Sequence, residues 1–318
     1  MQTVLVAGGA GFIGTHLCKS LLSDGYRVIC VDNLITGDKN NLSELLTNQN
    51  FSSIEQDIIK PLNIDEQIDF IFHLASPASP NKKSPRSYIN YPIETLLVNS
   101  QGTHLLLELA KQKESKFLFT STSEIYGDPL VSPQKEDYFG NVNPNGVRSV
   151  YDESKRFGEA ITMAYLRKFN LDVRIIRIFN TYGPLMQKND GRVVSNFINQ
   201  AINNQPLTIY GDGKHTRSFC FVDDMVGGIE AAMFTADTKG EVINLGNPDE
   251  KTIADLAELI KKITGATSKI TNAEECPEDD PKSRKPDIEK AKRLLHWEPK
   301  VSIEEGLGKT IQYFKKII

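Results

Sequence analysis

Residues 3–14 read TVLVAGGAGFIG, and this stretch decides the fold. Its apolar residues Val4–Ala7 predict a buried strand, and Leu17 and Leu21 follow at helical spacing. The glycines between the two elements permit a sharp turn and let the backbone approach a ligand closely. A strand, a glycine turn and a helix in this order predict a site for the pyrophosphate of a dinucleotide at the positive end of the helix. The expected contacts are Gly8, Gly11, Phe12, Ile13 and Gly14.

Asp32 ends the second predicted strand, 18 residues after Gly14, where a ribose-binding carboxylate is expected. It would accept hydrogen bonds from the ribose hydroxyls and repel a 2′-phosphate, and none of the next three residues is an arginine. The pattern therefore favours NAD over NADP. The alternative is that Asp32 is an ordinary turn residue at a strand end. Asp57, after the third strand, is either an adenine contact or a solvated turn residue.

Short β-rich runs alternate with helical patterns over the first 180 residues, which predicts an α/β fold with a doubly wound parallel sheet covered on both faces. Thr252 with Asp255, and Ser302 with Glu305, have the spacing of capping boxes at two helix starts. The predicted strands are 4–7, 27–31, 53–56, 70–74, 117–120, 173–178, 207–210 and 242–245. Later helices are expected at 191–203, 222–234, 253–263, 288–295 and 303–316, with loops at 76–86 and 271–287.

The composition argues against several classes of protein. A net charge of −4 over 318 residues gives no reason to expect nucleic-acid binding. The sequence contains no run of 18 apolar residues, so no membrane span is expected. A predicted strand that starts near Thr3 leaves no room for a signal peptide, so a cytoplasmic protein is expected. The cysteines form no CxxC pair and the histidines no HxH or HxxxH spacing, so no metal site is expected. Cys18 and Cys30 are expected to be buried thiols.

Tyr151 and Lys155 lie four residues apart at the start of a predicted helix and therefore share one face of it. A lysine near a tyrosine stabilises the phenolate, so Lys155 is expected to lower the pKa of Tyr151 toward neutrality, as a general base requires. The spacing alone is weak evidence, because ten tyrosines in a lysine-rich chain give about one such match by chance. A second match, Tyr210 with Lys214, runs through two glycines and is interpreted as a turn. The first pair gains weight from its position after the fifth strand.

The hydroxyl run TSTS at 120–123 ends the fifth predicted strand, and Glu124 follows it. Ligands of open α/β sheets bind beyond the carboxyl ends of the strands, so Thr122 could share a substrate proton with Tyr151. The alternative is that these hydroxyls only cap the strand end. Glu124 is likewise either a loop charge or a proton carrier beside a reacting alcohol.

Together these residues resemble the extended short-chain dehydrogenase/reductase family (NAD-dependent epimerases and dehydratases), which modifies nucleotide sugars. The resemblance covers essentially the whole chain. It implies a Rossmann-type domain over 1–180 that holds NAD, with 218–236 packing back on it, and a smaller C-terminal α/β domain over 181–318 that mainly holds the nucleotide sugar. The motifs are GGAGFIG at 8–14, HLAS at 73–76, SPASP at 76–80, STSEIYGDP at 121–129, YDESK at 151–155, RIFNTYGP at 177–184, DGRVVSNF at 190–197, YGDGKHTRSF at 210–219 and RKPD at 284–287.

The later motifs look most like the branch of the family that decarboxylates UDP-glucuronate to UDP-xylose. The resemblance implies that Tyr151, aided by Lys155 and Thr122, takes the proton of the sugar 4-hydroxyl while NAD takes a hydride from C4. The 4-ketone would let the C6 carboxylate leave as carbon dioxide, and the hydride would return to C4. Glu124 would then act near C5. The main alternative is a UDP-sugar 4-epimerase, ahead of a 4,6-dehydratase or a non-catalytic NAD-binding protein.

Two features bear on that choice, and the resemblance implies the remaining site residues. Family dehydratases carry an aspartate before the glutamate, where this chain has Ser123, and plain 4-epimerases usually lack the glutamate. NKKSPRS at 81–87 lengthens a loop that borders the sugar, which leaves the substrate range open.

A homodimer through helices around 92–112 and 152–168 is expected. Further cofactor contacts are Asn33, Asp57, Ile58, Leu74, Ala75 and Ser76, and further substrate contacts are Ser79, Pro80, Ser123, Asn180, Arg192, Tyr210, Arg217 and Arg284.

Overall fold

Seven parallel strands form the central sheet, as seen in a computed structural model that describes residues 1–274, 281 and 283–318. The strands are β1 Thr3–Ala7, β2 Arg27–Asp32, β3 Phe51–Glu55, β4 Phe70–His73, β5 Lys116–Thr122, β6 Val173–Ile178, β7 Thr181–Tyr182, β8 Leu207–Tyr210, β9 Thr216–Ser218, β10 Cys220–Phe221, β11 Val242–Leu245, β12 Glu250–Thr252, β13 Ile270–Glu274 and β14 Ser283–Arg284. The α-helices are α1 Phe12–Ser23, α2 Pro92–Leu97, α3 Thr103–Lys113, α4 Ser149–Phe169, α5 Val193–Ile202, α6 Val222–Phe234, α7 Ile253–Thr264, α8 Glu289–Leu295 and α9 Ile303–Ile317.

The strand order β11-β6-β5-β4-β1-β2-β3 confirms the predicted doubly wound sheet. β1 pairs in parallel with β2 on one side and with β4 on the other. The direction of winding therefore reverses between β1 and β4, and the loops that follow these two strands diverge. Such a reversal leaves a crevice at the carboxyl edge of the sheet, which is where ligands of this architecture bind.

Alternate residues of β1 face two separate cores. Val4 and Val6 belong to the core that contains residues of α1 and α6, whereas Leu5 and Ala7 belong to the core that contains residues of α3 and α4. This division follows from the strand geometry, because successive side chains point to opposite faces of a sheet. All four residues are completely buried, so both faces of the sheet are covered.

The chain after residue 180 contributes to the large sheet as well as to a smaller unit. β11 extends the sheet beside β6, and α6 packs against α1 and β6. The smaller unit contains α5, α7 and α9, which pack together, and the short sheets β12-β9-β14 and β13-β8.

Local predictions were mostly confirmed. The Thr252 and Ser302 hydroxyls accept hydrogen bonds from the backbone N–H groups of Asp255 and Glu305 at 3.0 and 3.2 Å. Cys18 and Cys30 are buried free thiols. Within the described part of the chain, no helix combines the length and the apolar character needed to cross a bilayer.

Several predicted boundaries differ from the structure by one or two residues, and the third strand and the loop at 271–287 show why. The third strand begins at Phe51, two residues before the predicted start, because a buried phenylalanine pairs there with Val28. The loop predicted at 271–287 contains strand residues at both ends, since β13 pairs with β8 and β14 with β9. Polar residues and prolines hid these strands, whose pairing partners are distant in the sequence. Residues 275–280 and 282, and with them Cys276, lie outside the described residues.

Candidate active site

The glycine turn after β1 has room for backbone only. Gly8 has a φ of +84°, and a Cβ atom there would lie 2.6 Å from the backbone nitrogen of Ala75. A Cβ atom at Gly14 would lie 2.1 Å from the carbonyl oxygen of Gly8. Gly11 caps α1, whose first residues are Phe12 and Ile13. The turn therefore presents bare backbone at a helix N-terminus, which fits the pyrophosphate of a dinucleotide.

Asp32 is fixed against this turn by two backbone donors. Its Oδ2 atom accepts a hydrogen bond from Ala10 N at 3.0 Å, and its Oδ1 atom accepts one from Leu34 N at 2.8 Å. Burial raises the pKa of Asp32, and the two hydrogen bonds oppose that change. Each carboxylate oxygen keeps acceptor capacity, so the residue can bind ribose hydroxyls as predicted. The turn and the carboxylate together fit NAD.

The other predicted cofactor contacts lie at the neighbouring strand ends. Asn33 Nδ2 donates to Asp57 Oδ2 at 2.9 Å, which joins the segments after β2 and β3, and Ile58 is buried beside them. Leu74 N donates to Ala7 O at 2.8 Å, so the segment after β4, which continues through Ala75 to Ser76, runs along the glycine turn.

A buried asparagine connects this segment to α4. Asn99 Nδ2 donates to Ser76 Oγ at 2.9 Å and to Ser154 Oγ at 3.1 Å. Ser154 lies between Tyr151 and Lys155, so this contact fixes the helix start relative to the edge of the sheet.

Tyr151 is buried on α4 at the carboxyl end of β5. The Thr122 hydroxyl lies within hydrogen-bonding reach of its phenol. Burial raises the pKa of Tyr151, while Thr122 and the nearby charge of Arg192 oppose the rise. The sequence predicted that Lys155 would lower the pKa of Tyr151. That prediction was wrong, because the burial of Tyr151 outweighs the contacts that lower its pKa.

Lys155 lies beneath the site and contacts the strand. Its Nζ atom donates to Thr120 O at 2.8 Å and lies 5.9 Å from the centre of the Tyr151 ring. Burial lowers the pKa of Lys155 to about 7, and the charge of Glu159 opposes that change. The lysine can therefore change its protonation state near neutral pH.

Glu124 is held between two arginines. Its Oε2 atom accepts hydrogen bonds from Arg148 and, at 2.9 Å, from Arg284. Burial alone would raise the pKa of Glu124, but the charges of both arginines and the Arg148 hydrogen bond lower it to about 2. Arg284 is only 1% exposed and also donates to Ser123 O, so it is not a solvated loop charge. We call Glu124, Arg148, Asp152 and Arg284 the acid–arginine cluster.

Two more of the predicted substrate contacts meet at one loop. Ser79 Oγ donates to Asp190 O at 2.5 Å, and Arg192 Nε donates to Asp190 Oδ2 at 2.5 Å. Pro80 is half-buried next to Ser79. The lengthened loop at 81–87 closes on the same segment, since Ser84 Oγ donates to Asn189 O at 2.8 Å.

The remaining predicted contacts are more dispersed. Arg217 donates to Pro281 O at 2.7 Å, and its charge affects the pKa of both Glu124 and Arg284. Asn180 lies just after β6, where its carbonyl accepts a hydrogen bond from Cys220 N at 2.9 Å. Tyr210 ends β8 in the small sheet, and no described contact joins it to the acid–arginine cluster.

Three residues at this site had no role predicted from the sequence. Arg148 pairs with Glu124, Asp152 is buried in the same cluster, and Tyr88 stacks on Tyr151 with ring centres 4.9 Å apart and planes 3° apart. Arg148 and Asp152 lie three residues before and one residue after Tyr151. Charged residues so close to a predicted buried helix start were a signal that could have identified them.

Comparison with known proteins agrees with this geometry. A model of the NAD dependent epimerase/dehydratase family matches residues 4–246. The chain is 49% identical to UDP-glucuronic acid decarboxylase 1 of Xenopus tropicalis, covering 99% of this chain and 72% of that protein. It is 50% identical to UDP-glucuronic acid decarboxylase 4 of Arabidopsis thaliana, covering 98% and 68%.

Solved structures give the same fold. A UDP-glucuronic acid 4-epimerase from Bacillus cereus, in complex with UDP-glucuronic acid and NAD, superposes with a TM-score of 0.87 at 31% identity, and 100% of both chains is covered. A UDP-glucose 4-epimerase from Thermotoga maritima superposes with a TM-score of 0.88 at 32% identity, covering 99% of each chain. The family match includes the glycine turn, Asp32 and the Tyr151–Lys155 pair. The chain therefore belongs to the NAD dependent epimerase/dehydratase family, within the extended short-chain dehydrogenases/reductases, and its cofactor is NAD.

Proposed function

We propose that this protein decarboxylates UDP-glucuronate to UDP-xylose through a 4-keto intermediate. The observation that carries the proposal is 49–50% identity to UDP-glucuronic acid decarboxylases over 98–99% of this chain. Identity to the two 4-epimerase structures described above is 31–32%. The acid–arginine cluster beside Tyr151 adds a chemical reason, because a 4-epimerase needs no group that acts at C5.

Proton removal from the sugar 4-hydroxyl falls to Tyr151. Thr122, within hydrogen-bonding reach of the phenol, orients it, and Arg192 places positive charge near the developing phenolate. Lys155 lies below the phenol, with its Nζ atom 5.9 Å from the centre of the ring. Bound NAD supplies a hydride acceptor at C4 and later a donor, so the reaction consumes no net cofactor. The stacked ring of Tyr88 covers one face of Tyr151 and excludes water from it.

Loss of carbon dioxide depends on the substrate's own 4-ketone and on the cluster. The ketone is β to the C6 carboxylate, so the electrons of the C5–C6 bond flow into it as carbon dioxide leaves. Arg148 and Arg284 place two positive charges at Glu124, and these charges would attract and orient the sugar carboxylate. Glu124 holds both guanidinium groups in place.

The experiment is incubation of the purified protein with UDP-glucuronate, followed by mass spectrometry and NMR of the nucleotide sugar. A mass loss of carbon dioxide with a UDP-pentose product supports the proposal. An unchanged mass with an inverted C4 would instead identify the 4-epimerase that the structural neighbours favour. A loss of water would identify a dehydratase.

Tyr151→Phe separates binding from chemistry. Without the phenol, turnover should fall by about 10³-fold, while NAD affinity stays within about twofold, because the ring and its stacking remain. Tyr313→Phe on α9 is the matched control and should turn over at the original rate. Undiminished turnover of Tyr151→Phe would remove this residue from the mechanism.

Three further predictions accompany the proposal. Residues 1–180 bind NAD, and 181–318 mainly bind the nucleotide sugar. The protein is a homodimer through α2, α3 and α4, supported by Ile93 on α2 and Phe157 on α4, which are 60% and 48% exposed. Sedimentation at micromolar concentration tests the dimer, and Phe157→Asp should give monomers. A cytoplasmic location remains a prediction from the sequence.

A further inference from the structure

A cavity of about 190 Å³ lies at the acid–arginine cluster. Its wall includes all four cluster residues, and Asp152 immediately follows Tyr151 in α4. The cavity is therefore large enough for a small group or a few waters beside the proposed site of oxidation. The other lining residues are Gly127, Asp128, Asn141, Val142, Asn143 and Pro281.

Glu124 is poorly suited to give up a proton in this cavity. Its Oε2 atom already accepts hydrogen bonds from Arg148 and Arg284. With its pKa lowered to about 2, Glu124 is a carboxylate at neutral pH. Glu124 is consequently a fixed negative charge that positions two cations.

Asp152 has the opposite properties. It is 5% exposed, and its Oδ1 atom is buried without a hydrogen-bond partner among the described residues. A buried oxygen without a partner is costly as a carboxylate and less so as a protonated carboxyl. Burial, then the charge of Glu124, raises the pKa of Asp152 to about 8. The charged or titratable groups that face it are Glu124, Arg148, Arg284, Glu153, Tyr151 and Tyr88.

We propose that Asp152 is the acid that delivers the proton to C5 after carbon dioxide has left. The inference rests on the proposed decarboxylase function and assigns a step that Glu124 was expected to perform. Three observations support it: the cavity shared with the arginines, the unpartnered buried oxygen of Asp152, and the two arginines that hydrogen-bond to Glu124 Oε2.

The step balances in atoms and charge. The C5–C6 bond breaks, carbon dioxide leaves, and the electron pair forms the C4 enolate. The Asp152 carboxyl then gives its proton to C5, which forms a C5–H bond and restores the 4-ketone. The Asp152 carboxylate regains a proton from water in the cavity, so the overall reaction takes up one proton from solvent.

The test compares Asp152→Asn with the unaltered protein, with NAD present. Asparagine keeps the shape of the side chain but has no acidic proton, so kcat for UDP-xylose formation should fall by about 10²-fold. Tyr151 still removes its proton, so nicotinamide absorbance should show reduced cofactor accumulating during a single turnover. The fall of kcat above about pH 8, expected where Asp152 loses its proton, should disappear from the residual activity.

Exchange in the product gives a second measurement. In heavy water, the unaltered protein should introduce deuterium at C5 of UDP-xylose through the reversible final steps, and Asp152→Asn should lose this exchange by a similar factor. Glu289→Gln is the control, because Glu289 is an exposed carboxylate on α8 that pairs with Lys292 at 3.2 Å and does not line the cavity. Its rates should stay within about twofold, and Asp152→Glu should recover part of the lost activity.

Each outcome decides the inference. Asp152→Asn working at the original rate would overturn it, as would an equal loss of cofactor reduction and of exchange, which would mean only structural damage. If the unaltered protein itself releases no carbon dioxide from UDP-glucuronate, the proposed function fails instead.

Discussion

The glycine turn at 8–14 and the acid–arginine cluster lie at the same carboxyl edge of the sheet but are built in different ways. The turn is made by consecutive residues and consists of backbone that a Cβ atom would obstruct. The cluster brings together side chains that are 24 and 160 residues from Glu124. Steric contact therefore decides which substitutions the glycine turn tolerates, whereas electrostatics decides which substitutions the cluster tolerates.

This difference has energetic consequences. A glycine turn fails when volume is added to it, because its neighbours are backbone atoms that cannot move aside. A buried ion cluster fails when one charge is removed, because the remaining charges stay desolvated without a partner. Substitutions of opposite kinds should therefore damage the two regions.

The largest effect on stability is expected from Glu124→Gln. The change leaves Arg148 and Arg284 buried without their shared counter-charge, which should cost about 3–5 kcal/mol in the free energy of unfolding. Urea denaturation measures it. Glu305→Gln is the control, since it removes an exposed pair with Lys309 and should leave the free energy of unfolding nearly unchanged. Equal losses of unfolding free energy in the two variants would mean that the balance of charges does not determine the stability of the cluster.

The pH dependence of stability should show the contribution of the negative charge on Glu124. The pKa of Glu124 is lowered to about 2 in the folded protein, so the unfolded chain binds its proton first as the pH falls. The stabilisation by Glu124 is therefore complete above the ordinary glutamate pKa, and it is lost as the pH falls to about 2. The stability difference between the unaltered protein and Glu124→Gln, of about 3–5 kcal/mol at neutral pH, should shrink across this range. A constant difference would contradict the assignment.

Gly14→Ala should have the next largest effect. The added Cβ atom would lie 2.1 Å from Gly8 O, so the turn must shift, at a cost of about 1–3 kcal/mol. The shift also moves the backbone donors, so NAD affinity should fall by at least about tenfold, as calorimetry would show. Unchanged affinity with reduced stability would separate the turn from cofactor binding.

What could be predicted from the sequence follows the same division between local and distant contacts. The strand before Gly8, the helix after Gly14 and the capping residues Thr252 and Ser302 were predicted correctly, because each depends on neighbouring residues. β13 and β14 were missed, because their hydrogen bonds come from β8 and β9, which are distant in sequence. Their polar composition is typical of a loop.

The candidate site divides in the same way. Tyr151 and Lys155 could be singled out from their spacing together with their position after the fifth strand. Arg284 could be singled out only from the resemblance to a family, since nothing near it in the sequence indicates burial. Arg148 had no assigned role, because its partner Glu124 follows another strand. The protonation states could not be predicted at all, since burial raises the pKa of Tyr151 and lowers that of Lys155 to about 7.

The smallest effect, and one of opposite sign, is expected from Gly227→Ala in α6. A Cβ atom there meets nothing within 4 Å, and the residue lies inside a helix, where alanine is favoured over glycine by about 1 kcal/mol. The variant should therefore be slightly more stable to urea and should bind NAD unchanged. Gly228→Ala, one residue along, would place its Cβ atom 3.0 Å from Trp297 and 3.1 Å from Leu245, so it should be destabilised. If Gly227→Ala damaged the protein as much as Gly14→Ala, the requirement for glycine would be a general property of the chain. A gain in stability would show that the requirement arises from the contacts of the turn.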